Sequence, residues 1–261
     1  MSLEFCDRIV TAAQMRAIEG RLFEAGMPVA ALMEKVAGRI AAWVVSQFPL
    51  QRYPKIAVMA GPGHNGGDAL VVARELATQG YQVQVCSPAD RLKPLTADHL
   101  RFIEYLGIPV VKAVETLDSW DVLIDGLFGF GLERPVEGAM ADVIAAISAA
   151  NRPVVSIDLP SGLHTDTGAV LGTAVRAAHT LCLGLWKRAF CQEEALAYVG
   201  QPHLIGFDIS PQATAAVLEN VPSVRRATLA TIREKLPLPR QPNTHKYRVG
   251  HLLLVAGSRP Y

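Results

Sequence analysis

The chain has 261 residues, half of them hydrophobic, with 25 basic against 24 acidic side chains and a formal net charge of +1. That length can bury one large core with room for a small appendage, and the balanced charge excludes the electrostatic footprint of nucleic-acid or membrane-surface binding. No apolar run is long enough to span a bilayer, and Glu4 and Asp7 stand where a signal peptide would be basic, so no leader is expected.

Two helical patterns open the chain. Thr11 and Gln14 have capping-box spacing at the start of the first, and Leu32, Val36, Ile40 and Val44 recur every four residues along the second. Both are expected to pack on a sheet. Strands are then predicted at 56–60, 82–86, 110–112, 122–124, 154–157 and 179–183, alternating with helices at 69–79, 96–106 and 139–150. The alternation implies an α/β, Rossmann-like three-layer α/β/α fold with a mostly parallel central sheet.

Cys6, Cys86, Cys182 and Cys191 lie far apart or at spacings unlike zinc pairs, and no HExxH pattern organises the histidines. A core of this size needs no disulfides. The cysteines are read as reduced and the protein as cytoplasmic.

The most informative run is Gly61-Pro62-Gly63-His64-Asn65-Gly66-Gly67-Asp68, placed between a predicted strand and helix. A glycine-rich turn there lets backbone N–H groups approach an anionic or nucleotide-like ligand. Gly61, Gly63 and Gly66 satisfy GxGxxG, yet Cys86 and Ser87 occupy the place where a dinucleotide dehydrogenase needs its ribose-binding acid. No lysine followed by Ser or Thr comes after the turn, which excludes a Walker loop. The same glycines would also serve a tight turn that binds nothing. Two further polar stretches, Asp125 to Pro135 and Asp158 to Leu163, follow predicted strands on the same carboxyl edge, where open α/β sheets place ligands. Taken singly, Asn65 reads equally well as a turn residue, Asp125 as a cap and Ser161 as a local hydroxyl-to-backbone bond.

GPGHNGGDALVVAREL, DGLFGFGLERPVEG and SIDLPSGLHTDTG closely resemble the three signature segments of the YjeF N-terminal domain family, the NAD(P)H-hydrate epimerases. The resemblance spans roughly residues 10 to 210, with departures at His64, where the family usually has Asn, and Ala69, where Gly is common. It implies that Asn65, Asp125 and Ser161 hold a potassium ion. It also implies that His64, Asn65, Gly66, Gly67 and Asp68, then Gly129, Phe130, Gly131, Leu132, Glu133, Arg134 and Pro135, and Asp158 line the hydrated NADH or NADPH. Oxygen ligands on a polar turn suit such a hard cation.

The implied substrate carries a hydroxyl at C6 of the nicotinamide ring. Inversion there needs the hydroxyl to leave, assisted by the ring nitrogen, and water to return on the opposite face. Asp158 is the expected general acid/base, set at a strand end and stiffened by Pro160; a carboxylate bonded to the Ser161 and Gly162 backbone is the plainer reading. Lys187 matches a lysine common in the family, as a catalytic or phosphate-holding group, and reads nearly as well as a solvated strand-end lysine. No nucleic-acid or membrane partner is expected, and homo-oligomer formation is left open. The competing function is a non-catalytic binding or scaffold module of the same fold.

Residues 1–220 are expected to form the epimerase-type domain and 221–244 a proline-rich linker around a short helix at 229–236. The stretch Asn243 to Gly250 with the HLLLVAGS that follows it resembles the start of a ribokinase-like, ADP- or ATP-dependent hydrate dehydratase domain. Residues 245–261 are therefore read as the incomplete opening of that domain, with a buried-type strand at 249–256, and the parent polypeptide is expected to continue. Epimerase activity alone is expected of the chain as given.

Overall fold

A computed structural model describes residues 7–114, 116–222, 224–235, 242–244 and 248. The chain divides into two compact units, Met1–Val224 and Arg225–Tyr261.

The first unit is built on seven parallel strands in the order β4-β3-β2-β5-β6-β7-β9. They are β2 (Lys55–Ala60), β3 (Gln82–Cys86), β4 (Val110–Val111), β5 (Val122–Gly126), β6 (Val154–Ile157), β7 (His179–Leu183) and β9 (Gln201–Ile205). A further parallel pair joins β1 (Arg8–Val10) to β8 (Trp186–Lys187), with Val10 opposite Lys187. Strands β2, β3 and β4 step outward in one direction, whereas β5 returns to the other side of β2. That reversal makes the carboxyl ends of β2 and β5 a topological switch point, and sheets of this kind bind ligands in the crevice outside the strand ends there.

Both faces of the sheet are covered, and the strand period of two assigns side chains to each. Ile56, Val58, Ala60, Val122, Ile124, Val155 and Ile157 pack in one core with α1 (Ala12–Glu24), α2 (Val29–Gln47), α3 (His64–Thr78) and α7 (Pro211–Leu218). Ala57, Met59, Leu123 and Val154 pack on the opposite face with Val143, Ile144 and Ile147 of α5 (Ala139–Ala149). Thr11 and Gln14 close the predicted capping box on α1, and the predicted stripe Leu32, Val36, Ile40 and Val44 is the buried face of α2. Helix α4 (Pro94–Tyr105) and the short α6 (Leu196–Val199) complete the unit.

Several boundaries differ from the sequence reading. Helix α3 starts at His64 rather than 69, so His64 to Asp68 form its first turn and only Gly61 to Gly63 make the loop. Helix interiors disfavour glycine by about 1 kcal/mol relative to alanine, but packing overrides that here: a Cβ on Gly66 would stand 1.9 Å from the Gly61 carbonyl oxygen, and one on Gly67 2.7 Å from Met33. Strand β5 runs on through Asp125 and Gly126, because both pair with β2. Strand β9 and helix α7 carried no sequence prediction. The predicted segment 229–236 forms α8 (Leu229–Lys235) in the second unit, and the predicted strand at 249–256 lies outside the described residues.

Candidate active site

The loop after β2 and the end of β5 touch at backbone level. Gly61 donates its N–H to the Gly126 carbonyl (3.1 Å), and a Cβ on Gly61 would lie 1.7 Å from the Leu127 carbonyl oxygen. Only glycine permits that approach. Beneath it Asp125 is fully buried. Its Oδ2 accepts the Ser156 hydroxyl (2.8 Å) and the Ser161 N–H (2.9 Å), and its Oδ1 accepts the Ser161 hydroxyl (2.5 Å) and the Leu127 N–H (3.2 Å). Burial pushes the Asp125 carboxyl up, and the donors from Ser161, Ser156 and Leu127 act against it.

Asn65, in the first turn of α3, donates its amide to the Ile157 carbonyl (3.3 Å), which turns its Oδ1 toward the next loop. A Cβ on Gly129 would stand 3.3 Å from Asn65 Oδ1 and 3.1 Å from Asp158 Oδ2. Gly129 thus keeps open a cradle between those two side chains. The Ser161 hydroxyl joins the same place, accepting the Phe128 N–H (2.9 Å) and lying 3.3 Å from the Phe128 carbonyl oxygen.

Asp158 follows β6 with φ +68°, a left-handed conformation that Asp tolerates better than most residues but still at a cost. The chain is held there by its N–H to the Leu181 carbonyl (2.8 Å) and by the Leu159 N–H to the Ile157 carbonyl (2.9 Å). The carboxylate is buried and accepts from Phe130 N–H (3.0 Å), Leu183 N–H (3.3 Å) and the Lys187 ammonium. These are not the Ser161 and Gly162 backbone groups that the plainer reading would require. Lys187 is completely buried, which overturns its reading as a solvated strand-end lysine. Its Nζ also donates to the Leu183 carbonyl and lies 5.7 Å from the Phe130 ring centroid. Burial works against the ammonium, but Asp158, joined by Cys182 and Glu19, holds Lys187 above its ordinary value.

Two more carboxyls feel this pair. Asp68 is raised well above the usual carboxylate range by desolvation and then by the charges of Asp158 and Glu19. Glu19, half-buried on α1, is raised from 4.5 to about 7 by desolvation, with Asp158 adding to the rise and Lys187 and Arg16 opposing it. The centre therefore holds one carboxylate locked to a lysine beside carboxyls that favour their protons.

A family model described as YjeF-related protein N-terminus matches residues 29–189. The chain belongs to this family. It is 56% identical over 251 residues to a protein of Thermosynechococcus vestitus named "Bifunctional NAD(P)H-hydrate repair enzyme Nnr", covering 96% of this chain and 49% of that one. A "NAD(P)H-hydrate epimerase" of Limosilactobacillus fermentum is 37% identical over 199 residues, 75% of this chain and 94% of its own length. The chain thus spans about half the length of the bifunctional relatives it matches and nearly all of the shorter one. The crystal structure of the yeast protein YNL200c shares the fold, with a TM-score of 0.65 at 24% identity over 76% of this chain and 87% of that one.

Within this YjeF-type fold, Asn65, Asp125, Ser161, Gly129, Phe130, Asp158 and Lys187 come together. Other residues expected from the sequence stand apart. His64 is exposed at the helix start, where partial desolvation and then Lys93 lower its imidazole. Leu132 packs toward the α5 core, Glu133 pairs with Arg16 at 3.7 Å, and Gly131, Arg134 and Pro135 are exposed. Glu19 was missed in the sequence. It sits outside the three motif segments and outside the matched residues, and a lone glutamate on an amphipathic helix gives no signal. No helix among the described residues is long and apolar enough to cross a membrane.

Proposed function

We propose that this chain epimerises the R and S forms of hydrated NADH and NADPH. The observation that carries the proposal is the buried Asp158–Lys187 pair beneath an open cradle at Gly129, at the crevice where a nucleotide would lie. Asp158, which accepts from three donors among the described residues, serves as the base that takes a proton from incoming water. Lys187 orients that carboxylate. The start of α3, which follows Gly63 without a side-chain cap on its first backbone N–H groups, suits the pyrophosphate.

The residues also fit a monovalent cation. Asn65 Oδ1, Ser161 Oγ, the Phe128 carbonyl and Asp125 Oδ1 are all oxygens; Ser161 Oγ lies 2.5 Å from Asp125 Oδ1 and 3.3 Å from the Phe128 carbonyl, and Asn65 Oδ1 borders the neighbouring Gly129. Potassium held there would offset the buried Asp125 charge and tie the three loops into one geometry. The free thiols of Cys86, Cys182 and Cys191 fit a reducing, cytoplasmic setting.

The test is to incubate the pure protein with R hydrate and follow its conversion to S by chromatography. A rate well above the spontaneous one supports the proposal. A rate equal to it would favour a non-catalytic binding module of the same fold.

A further inference from the structure

Helix α1 brings to the site a carboxylate that none of the three motifs contains. Its start is tied by the Ala12 N–H to Asp166 Oδ1 (2.8 Å), and one turn on, Arg16 pairs with Glu133 of the loop after β5 (3.7 Å). On its buried face Met15 reaches the turn between β7 and β8, its Cε 2.9 Å from where a Cβ on Gly184 would stand. Glu19 is four residues beyond Met15 and so on the same face, one turn further along. These three anchors hold the start of α1 to the loops that follow β5, β6 and β7, and the last two of those loops lead from Asp158 and toward Lys187. Among the described residues the Glu19 carboxyl has no hydrogen-bond or ion-pair partner, yet Lys187, Asp158 and Asp68 all lie within its field. The residue is half-buried, so its carboxyl is neither sealed in the core nor fully in solvent.

We propose that Glu19 is a second acid/base group of the epimerisation, acting on the hydrated ring from the α1 wall while Asp158 acts from the sheet. This rests on the epimerase reading above. Inversion at one carbon removes a hydroxyl from one face and adds water to the other, so one group must give a proton and another accept one. As the C6–O bond breaks, the ring-nitrogen lone pair forms the N1=C6 bond and the Glu19 carboxyl protonates the departing oxygen, releasing water. A second water adds to C6 from the other face, its proton passes to Asp158, and the N1=C6 electrons return to N1. One water leaves and one enters. Glu19 ends deprotonated and Asp158 protonated, and solvent exchange resets them; in the reverse direction the roles exchange. The two carboxyls have environments that suit these parts: Asp158 faces three donors including Lys187, whereas Glu19 has no such donor among the described residues and is raised to about 7 by desolvation, with Lys187 and Arg16 opposing the rise and Asp158 adding to it.

The experiment compares the full chain with Glu19→Gln and Glu19→Asp, measuring initial rates of R-to-S and S-to-R conversion from pH 5 to 9. Glu19→Gln should lose about 100-fold or more in kcat in both directions, with KM little changed, and should lose the limb of the pH profile near 7. Glu19→Asp should be slowed but keep that limb. A folded Glu19→Gln with wild-type rate and pH profile would overturn the role of Glu19 while leaving the epimerase reading intact, and so would loss of activity with the limb unchanged. A wild-type chain that does not accelerate the reaction would overturn both.

Discussion

Lys187 Nζ donates to Asp158 Oδ1 with 0% of the lysine and 3% of the aspartate exposed to solvent. Two separate pieces of the fold create this contact: β8, fixed by its pairing with β1, carries the lysine, and the left-handed residue after β6 carries the carboxylate. A buried pair of this kind contributes little net stability, but breaking it by removing one partner leaves an uncompensated charge.

Asp158→Asn should therefore do two things. Asparagine tolerates the left-handed backbone as aspartate does, so the turn survives, but epimerisation should fall by about 100- to 10,000-fold. The orphaned Lys187 ammonium should also cost about 3–5 kcal/mol of stability, read by urea unfolding. Adding Lys187→Met should recover most of that stability and none of the activity. Activity restored along with stability would show that the pair is merely structural.

Much of this fold was legible in the sequence, for physical reasons. Parallel strands buried on both faces leave continuous apolar runs, and β3, β6 and β7 were bounded correctly at 82–86, 154–157 and 179–183. Glycines, by contrast, misled: Gly66 and Gly67 read as loop because intrinsic propensity disfavours them in a helix, whereas they are there so that α3 can lie against Gly61 and Met33. The short β1–β8 pair, two and three residues long, was invisible because a strand of that length has no period, and with it went the reason Lys187 is buried. Asn65, Asp125, Asp158 and Ser161 could be picked out because they cluster in motifs at strand ends. Glu19 could not, since its meaning comes only from where α1 lands.

The contact of Gly61 with Leu127 makes a sharp stability test. Gly61→Ala would force a Cβ to 1.7 Å from a backbone carbonyl that cannot move freely, and should cost more than about 4 kcal/mol. Gly63→Ala, two residues away in open space and at the α3 N-cap, should cost under about 1 kcal/mol. Equal losses in thermal or urea unfolding would contradict the packing described for this loop.

Potassium binding predicts a salt-specific gain. At equal ionic strength the unfolding temperature should be higher in potassium chloride than in choline chloride, because a ligand that binds only the folded state stabilises it by mass action. Asp125→Asn and Ser161→Ala should each abolish the difference between the two salts. Identical melting of the wild-type chain in both would remove the cation from the account.

The raised Glu19 carboxyl should leave its mark on stability. Its value is 4.5 when unfolded and about 7 in the fold, so between those pH values the folded state binds more protons than the unfolded one. The Glu19 contribution to stability should then fall as pH rises from about 4.5 to about 7 and level off above it. Glu19→Gln removes the Glu19 share of this slope, leaving that of the raised Asp68 and Asp125 carboxyls: its melting temperature should exceed that of the wild type at pH 8 and match it at pH 4. A wild-type slope preserved in Glu19→Gln would place the titration elsewhere.

Oxygen labelling tests whether this site breaks and remakes the C6–O bond of a hydrated nicotinamide. With R hydrate in water enriched in oxygen-18, the S hydrate formed at early times by wild-type protein should carry one solvent oxygen per inversion. It should appear far faster than in the enzyme-free control, and Asp158→Asn should lose that acceleration. S hydrate that forms at the enzymatic rate but keeps its original oxygen, or forms no faster than without protein, would show that the site does not cleave that bond.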